Sequence, residues 1–139
     1  MLEHEQHDME AIGDVLYVQR KSPTFFPVRG TFQALVSQGE IQMFSTGLKR
    51  ELFNLYNTTY ERTEYNGELY DKIYVDVYDK EIHAIMNLKT KTIENKSILT
   101  SPKFVKDVIL IIDEAESYIS LLMKCKVESE KLRDLIEAE

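Results

Sequence analysis

The feature that most restricts the fold of this chain is a run of mostly apolar residues near its C-terminus, spaced alternately by four and three. The positions are Phe104, Val108, Ile111, Ala115, Tyr118, Leu122, Cys125, Ser129, Leu132 and Ile136. This spacing keeps them on one face of an α-helix, and its period also permits packing against a partner helix, as in a coiled coil or bundle. We therefore predict a helix from Lys103 to Ala138, with Ser101 as its N-cap and Pro102 in its first turn.

Two shorter helices are predicted in the first half of the chain. One follows Ser45, a favourable N-cap residue, and its apolar face carries Leu48, Leu52, Leu55, Tyr56 and Thr59. The other runs from Thr31 to Gln38 and stops at Gly39, a residue type common just after a helix. It places Phe32, Leu35 and Val36 together.

The remaining segments give less uniform signals. A helix from about Glu5 to Arg20 would bury Met9, Ile12, Val15 and Leu16. Between Glu61 and Leu88 the helical period continues without a breaker after Gly67, which favours helix. Lys72 to Tyr78 nevertheless alternates and is rich in β-branched and aromatic residues, so a short β-hairpin between residues 72 and 93 stays open. Lys89 to Thr100 is predicted to be a polar loop. The fold class is thus all-α, a helical bundle with a long C-terminal helix.

Length and hydropathy indicate one soluble helical domain over residues 1–139. The hydrophobic fraction, 43%, is enough for a core. The longest aliphatic run, Val108 to Ile112, is far shorter than the roughly 18 to 20 apolar residues of a membrane span. The N-terminus is acidic and has no apolar stretch of the kind found in a signal peptide.

Charge argues against one class of partner and suggests another. A net charge of −7 disfavours sequence-independent binding to bulk nucleic acid. Basic residues are nevertheless concentrated in Arg20–Arg50 and in Met86–Lys106, with one acidic residue in each stretch. Two basic stretches on an acidic chain favour a compact anionic ligand.

No catalytic, metal or cofactor site is predicted. The sequence has no nucleophile elbow, phosphate-binding loop or dinucleotide fingerprint. Cys125 is the single cysteine, so neither an intrachain disulfide nor a cysteine-based zinc cluster can form, and its place in an apolar stripe indicates a packed side chain. His4 and His7 lack the spacing of a zinc protease motif and are interpreted as part of a solvated acidic end.

The segment Pro23–Thr31 is the candidate ligand site. It places Phe25, Phe26, Arg29 and Thr31 at the start of a helix, where backbone N–H groups attract anions and an arginine can grip a phosphate or carboxylate. Lys49 and Arg50, in the first turns of the next helix, would add positive charge. The competing interpretation is that Phe25 and Phe26 anchor the loop to the core and that Arg29 is an ordinary surface residue.

Residues 32–62 resemble the soluble segment of an uncharacterised family of bacterial single-span membrane proteins. The matching positions are Phe32, Leu35, Ser37, Gly39, Ile41, Ser45, Leu48, Leu52 and Tyr56. Gln38 departs from the pattern by separating Ser37 from Gly39. The resemblance extends to the long C-terminal helix and implies no catalytic residues. It also implies that this domain was cut from a membrane-associated protein. The domain is expected in the cytoplasm, with the periplasm as the alternative location.

Three functional hypotheses follow. The first is a non-enzymatic sensor domain, oligomeric, that binds a ligand or partner and signals to an attached membrane helix. The second is a cytoplasmic receptor for a cyclic oligoadenylate in a CRISPR-type antiviral membrane effector, because a symmetric homo-oligomer repeats its basic residues around an axis and so suits a symmetric nucleotide. The third is a purely structural protein–protein interaction module that uses the C-terminal helix.

Overall fold

The computed structural model describes residues 11–14, 16 and 25–138. His4, His7 and most of the predicted N-terminal helix lie outside these residues. Positions 11–14 and 16 are helical, and Leu16 is buried as predicted, but Ile12 is 40% exposed and its predicted burial is wrong. The buried face instead contains Gly13 and Leu16. An added Cβ at Gly13 would lie 3.0 Å from the Lys91 carbonyl oxygen, and Ile12 lies outside this face.

The chain forms two compact units. One combines Leu69–Ala115 with residues near the N-terminus, and the other combines Thr24–Glu68 with Glu116–Glu139. No helix in the described part of the chain is both long and apolar enough to cross a membrane.

The second unit begins with two short helical elements. Helix α1 spans Gly30–Ser37, and a 3₁₀ turn spans Glu40–Met43. Gly39 adopts a left-handed conformation, φ 76°, immediately after the helix, as its position predicted. Phe32 is buried and Leu35 half-buried, whereas Val36 is 39% exposed. Val36 lies on the last turn, where the chain is already leaving the core.

A long helical stretch follows. It consists of helix α2 (Thr46–Asn54), a π-helical segment (Leu55–Thr59), helix α3 (Tyr60–Ile73), a second π-helical segment (Tyr74–Asp79) and helix α4 (Lys80–Ile85). Ser45 caps α2, since its Oγ accepts a hydrogen bond from the Leu48 N–H at 3.2 Å. Residues 72–78 are helical, which confirms the favoured prediction and excludes a strand there. Helical spacing buries Tyr74, Ile82 and Ile85.

A short hairpin and a helical turn come next. Strands β1 (Met86–Asn87) and β2 (Thr92–Ile93) are antiparallel, with Met86 opposite Ile93, and helix α5 spans Lys96–Leu99. The hairpin expected between residues 72 and 93 is therefore made by 86–93. The prediction of a loop over Lys89–Thr100 is wrong where β2 and α5 form, because elements this short leave no periodic pattern.

Helix α6, Pro102–Glu137, closes the chain and confirms the main prediction. The Ser101 Oγ accepts the Phe104 N–H at 3.2 Å, as expected for an N-cap. Every seventh side chain is buried: Phe104, Ile111, Tyr118, Cys125 and Leu132. Ile136, however, is 53% exposed, and Leu135 packs on the core in its place. Leu135 follows the buried Leu132 at a step of three, so the two side chains lie on the same face of the helix. Apart from the hairpin of β1 and β2, the regular structure in the described residues is helical.

The core of the second unit is apolar and draws on α1, the 3₁₀ turn, α2, the first π-helical segment and α6. Its buried members are Phe32, Ile41, Leu48, Leu52, Leu55 and Leu132. Phe32 stacks on Tyr56 with ring centroids 4.4 Å apart and meets Phe53 edge-on at 5.4 Å. This cluster positions α1 and the loop before it.

Candidate functional site

Arg29 occupies the N-cap position of α1, but its charge is already paired. Its Nη2 donates to Glu64 Oε2 at 2.7 Å, and its Nη1 lies 4.0 Å from Glu61 Oε1. The side chain is only 27% exposed. The sequence predicted that this guanidinium binds an anionic ligand. Two carboxylates of α3 already lie beside it, so an anionic ligand would have to compete with them.

The two phenylalanines before Arg29 differ in environment. Phe25 is half-buried, its ring meets Tyr60 edge-on at 5.4 Å, and its backbone N–H donates to Tyr118 Oη at 2.8 Å. Phe26 is 77% exposed. Anchoring of the loop to the core, the competing interpretation, thus holds for Phe25 and fails for Phe26. Thr31 is exposed in the first turn of α1.

The basic residues of α2 belong to a separate cluster. Arg50 is 78% exposed, and its Nη2 lies 3.2 Å from Glu51 Oε1. Lys131 of α6 lies 3.0 Å from the other oxygen of Glu51. Hydrogen bonds from Lys131 and then from Arg50 lower the pKa of the Glu51 carboxyl. Lys49 is half-buried, and no hydrogen bond or ion pair in the described part of the chain joins it or Arg50 to Arg29.

Side-chain hydrogen bonds join the helical stretch to α6 in the interior of the second unit. Thr63 Oγ1 donates to the Thr59 carbonyl at 2.7 Å and lies 3.0 Å from Cys125 Sγ. Thr59 Oγ1 donates to Glu128, and the Tyr60 hydroxyl lies 3.1 Å from Ser129 Oγ. Cys125 is 4% exposed, which confirms its packed position. These contacts satisfy buried polar groups, and the sequence signal for them was the four-residue step from Thr59 to Thr63.

No cluster of three or more His, Cys, Asp or Glu side chains among residues 11–14, 16 and 25–138 is arranged to hold a metal ion. The histidine pair near the N-terminus falls outside this range.

The feature that sequence reasoning missed is a second apolar face on α6. Within the second unit this helix exposes Ile119, Met123 and Val127 to the extent of 57%, 57% and 59%. Within the first unit it exposes Val105, Ile109 and Ile112, at 45%, 53% and 50%. The signal was available, because several of these residues follow one another at steps of three and four. The stronger pattern of the buried face concealed it.

Comparison with known families gives one match. The model of a family of unknown function, DUF6090, matches residues 6–116, about four-fifths of the chain. The chain belongs to DUF6090. Neither the curated proteins nor the solved structures contain a match. Membership carries no statement of activity, so the function of this DUF6090 protein has to be argued from its own geometry.

The DUF6090 match covers the residues that sequence reasoning singled out. Phe25, Phe26, Arg29, Thr31, Lys49 and Arg50 all lie between residues 6 and 116, as do Glu61 and Glu64. The part of α6 that contributes Cys125 and Leu132 to the second unit lies beyond the match. The family region therefore contains both partners of the Arg29–Glu64 ion pair, whereas the exposed face of α6 extends past it.

Proposed function

We propose that this DUF6090 chain is a non-enzymatic partner-binding domain whose contact surface is the exposed apolar face of α6. In the full-length protein the domain acts as a sensor that passes a conformational signal to an attached membrane helix. The membrane attachment is supported by the resemblance of residues 32–62 to bacterial single-span membrane proteins.

The observation that carries this proposal is the exposure of Ile119, Met123 and Val127 on successive turns of one helix. Single exposed apolar residues are normal, but a contiguous apolar stripe marks an interaction surface. Burying such side chains against a partner is favourable by about 25 cal/mol for each Å² of apolar surface removed from water. A regular helix offers these side chains without an ordering cost in the backbone.

Electrostatics favour this proposal over a receptor for a cyclic oligonucleotide. A phosphate-binding arginine is most effective when its guanidinium is free to form paired hydrogen bonds with the ligand. Arg29 already donates one hydrogen bond to Glu64 and lies 4.0 Å from Glu61, and Arg50 lies beside Glu51. Glu61 and Glu64 outweigh the single charge of Arg29 and repel an anion there, whereas they have no such effect on an apolar contact along α6.

Photo-crosslinking in living cells tests the proposal. A photoreactive amino acid at Met123 of the full-length protein should yield a discrete protein adduct when irradiated in its native cells. The same amino acid at Tyr65, a 66% exposed position on α3, is the matched control and should not. Ile119→Asp, at an exposed position, should remove the Met123 adduct without lowering the melting temperature. Identical adducts from Met123 and Tyr65, or none from either, would exclude α6 as the binding surface.

A further inference from the structure

Four exposed residues of α6, all within the second unit, have a spacing that is the same when read from either end. Glu116, Ile119, Met123 and Lys126 are separated by three, four and three residues, so they line one face of the helix. Two apolar side chains stand at the centre, with an acidic residue before them and a basic residue after them. Each side chain is exposed.

The two charged members of this set are available for a partner. Other charged side chains of α6 in the second unit form ion pairs within the chain. Examples are Lys124 with Glu128, and Lys131 with Glu51 of α2. Among the described residues, neither Glu116 nor Lys126 has an ion-pair or hydrogen-bond partner for its side chain. Opposite charges at the two ends of a short apolar stripe therefore remain uncompensated within the part of the chain that the structure describes.

This arrangement is complementary to itself when one helix is turned end to end. In an antiparallel pair, Ile119 of one copy faces Met123 of the other, and Glu116 faces Lys126, each contact occurring twice about a two-fold axis. A parallel pair in register would instead place Glu116 opposite Glu116 and Lys126 opposite Lys126, and juxtaposed like charges are unfavourable. The charges thus select a second copy in the antiparallel orientation.

We propose that Glu116, Ile119, Met123 and Lys126 form the contact surface for a second copy of this chain, in a two-fold symmetric antiparallel helix pair. This inference rests on the proposed function, because it names the partner for part of the same face. The apolar pair supplies the affinity, since exposed ion pairs contribute little, and the charged pair sets the orientation. An interface of this length is small, so the dimer dissociates readily.

Sedimentation equilibrium on the full chain tests the inference. Over about 10 to 500 µM, a range that covers the dissociation constants of small interfaces, the parent chain should convert reversibly from monomer to dimer. Glu116→Lys and Lys126→Glu should each raise the dissociation constant about tenfold, because like charges then face each other. The double variant carrying both changes should return it to within about threefold of the parent, because the opposite charges face each other again.

Two substitutions on α3 control for net charge. Glu68→Lys and Arg62→Glu alter exposed residues of the same unit and should leave the dissociation constant unchanged. Circular dichroism of every variant should give the parental helicity and melting temperature, since the altered side chains are exposed. A parental dissociation constant in both single variants would place the dimer contact elsewhere, and loss of dimer that the double variant does not restore would exclude the antiparallel pairing.

The outcome also separates this inference from the proposed function. A chain that stays monomeric over the whole range overturns the self-association. If Ile119→Asp then still removes a Met123 crosslink to a different protein, the α6 face binds a partner other than a second copy and the proposed function stands. If the Met123 adduct has the mass of two chains and the charge reversals remove it, both proposals hold.

Discussion

Gly67 of α3 lies directly against the ring of Tyr118 of α6. A Cβ atom at Gly67 would stand 2.9 Å from Tyr118 Oη and 3.1 Å from Cζ, closer than such atoms approach without a shift. The ring cannot easily retreat, because Tyr118 is 2% exposed and its hydroxyl accepts a hydrogen bond from the Phe25 N–H. The absence of a side chain at Gly67 therefore lets the tyrosine fill this space and hold the loop before α1.

Gly67→Ala should destabilise the protein, although alanine is the better helix former. In an open helix the change would stabilise by about 1 kcal/mol, but overpacking against a buried ring costs about 1 to 3 kcal/mol. Thermal and urea unfolding should therefore show a lower stability. Gly47→Ala is the control, because its Cβ would lie 3.9 Å from Ser45 Oγ, an ordinary contact, and it should be neutral or slightly stabilising.

A double-mutant cycle locates the clash. Tyr118→Phe removes the nearest atom and also the acceptor for the Phe25 N–H, which costs about 0.5 to 1.5 kcal/mol. In the Tyr118→Phe background, Gly67→Ala should cost less than in the parent. Equal costs in the two backgrounds would mean that the tyrosine hydroxyl is not the obstacle.

The C-terminal end of α6 allows a prediction about the buried face of this helix. Leu132 is 7% exposed within the apolar cluster, so Leu132→Ala should lower the free energy of unfolding by about 2 to 4 kcal/mol. Ile136→Ala should change it by less than about 0.5 kcal/mol, since that side chain is 53% exposed. Denaturant titrations compare the two. A larger effect at Ile136 would mean that the strict seven-residue repeat continues to the end of the helix.

Stability should fall as the pH rises above about 10, the usual pKa of a tyrosine. Burial, and secondarily the neighbouring Tyr60, raises the pKa of Tyr56; burial and then Asp71 raise the pKa of Tyr70. The folded chain keeps these protons in a pH range where the unfolded chain has lost them, so unfolding is favoured as the pH rises. Tyr56→Phe should reduce this loss in urea titrations above pH 10, whereas Tyr65→Phe, at a 66% exposed side chain, should not.

The sequence could predict the parts of the fold that depend on long periodic patterns. These parts are the buried face of α6, the Ser45 and Ser101 caps and the left-handed Gly39. Each follows from local chemistry that tertiary contacts reinforce. The hairpin at 86–93 could not be predicted in place, because its two-residue strands carry no alternation. It depends instead on specific contacts, such as Asn87 Oδ1 accepting the Lys89 N–H at 3.0 Å, and on the left-handed backbone of Lys91.

The candidate ligand site was less predictable for a different reason. Sequence identified Arg29 as a cation at a helix start, which is correct, but the meaning of that charge depends on Glu61 and Glu64, more than thirty positions away. Those carboxylates lie on α3, whose first residue, Tyr60, meets Phe25 of the loop edge-on at 5.4 Å. Charge counts along a sequence do not identify such long-range pairs. The exposed α6 face was missed for another reason, because the pattern of the buried face on the same helix is stronger.

The final prediction separates partner binding from anion binding at Arg29. Because Glu64 and Glu61 already engage the guanidinium, a cyclic oligoadenylate or inorganic phosphate at low salt should leave the melting temperature of the chain unchanged. A ligand present at a hundred times its dissociation constant would add roughly 2.7 kcal/mol to the free energy of unfolding, a shift that differential scanning fluorimetry detects readily. Glu64→Gln is the informative variant, since it removes the carboxylate at 2.7 Å while keeping the shape of the side chain. A salt-sensitive rise in the parent that Arg29→Ala abolishes would favour the cyclic-oligonucleotide receptor, and a rise seen only with Glu64→Gln would show that the carboxylate blocks an otherwise competent anion site.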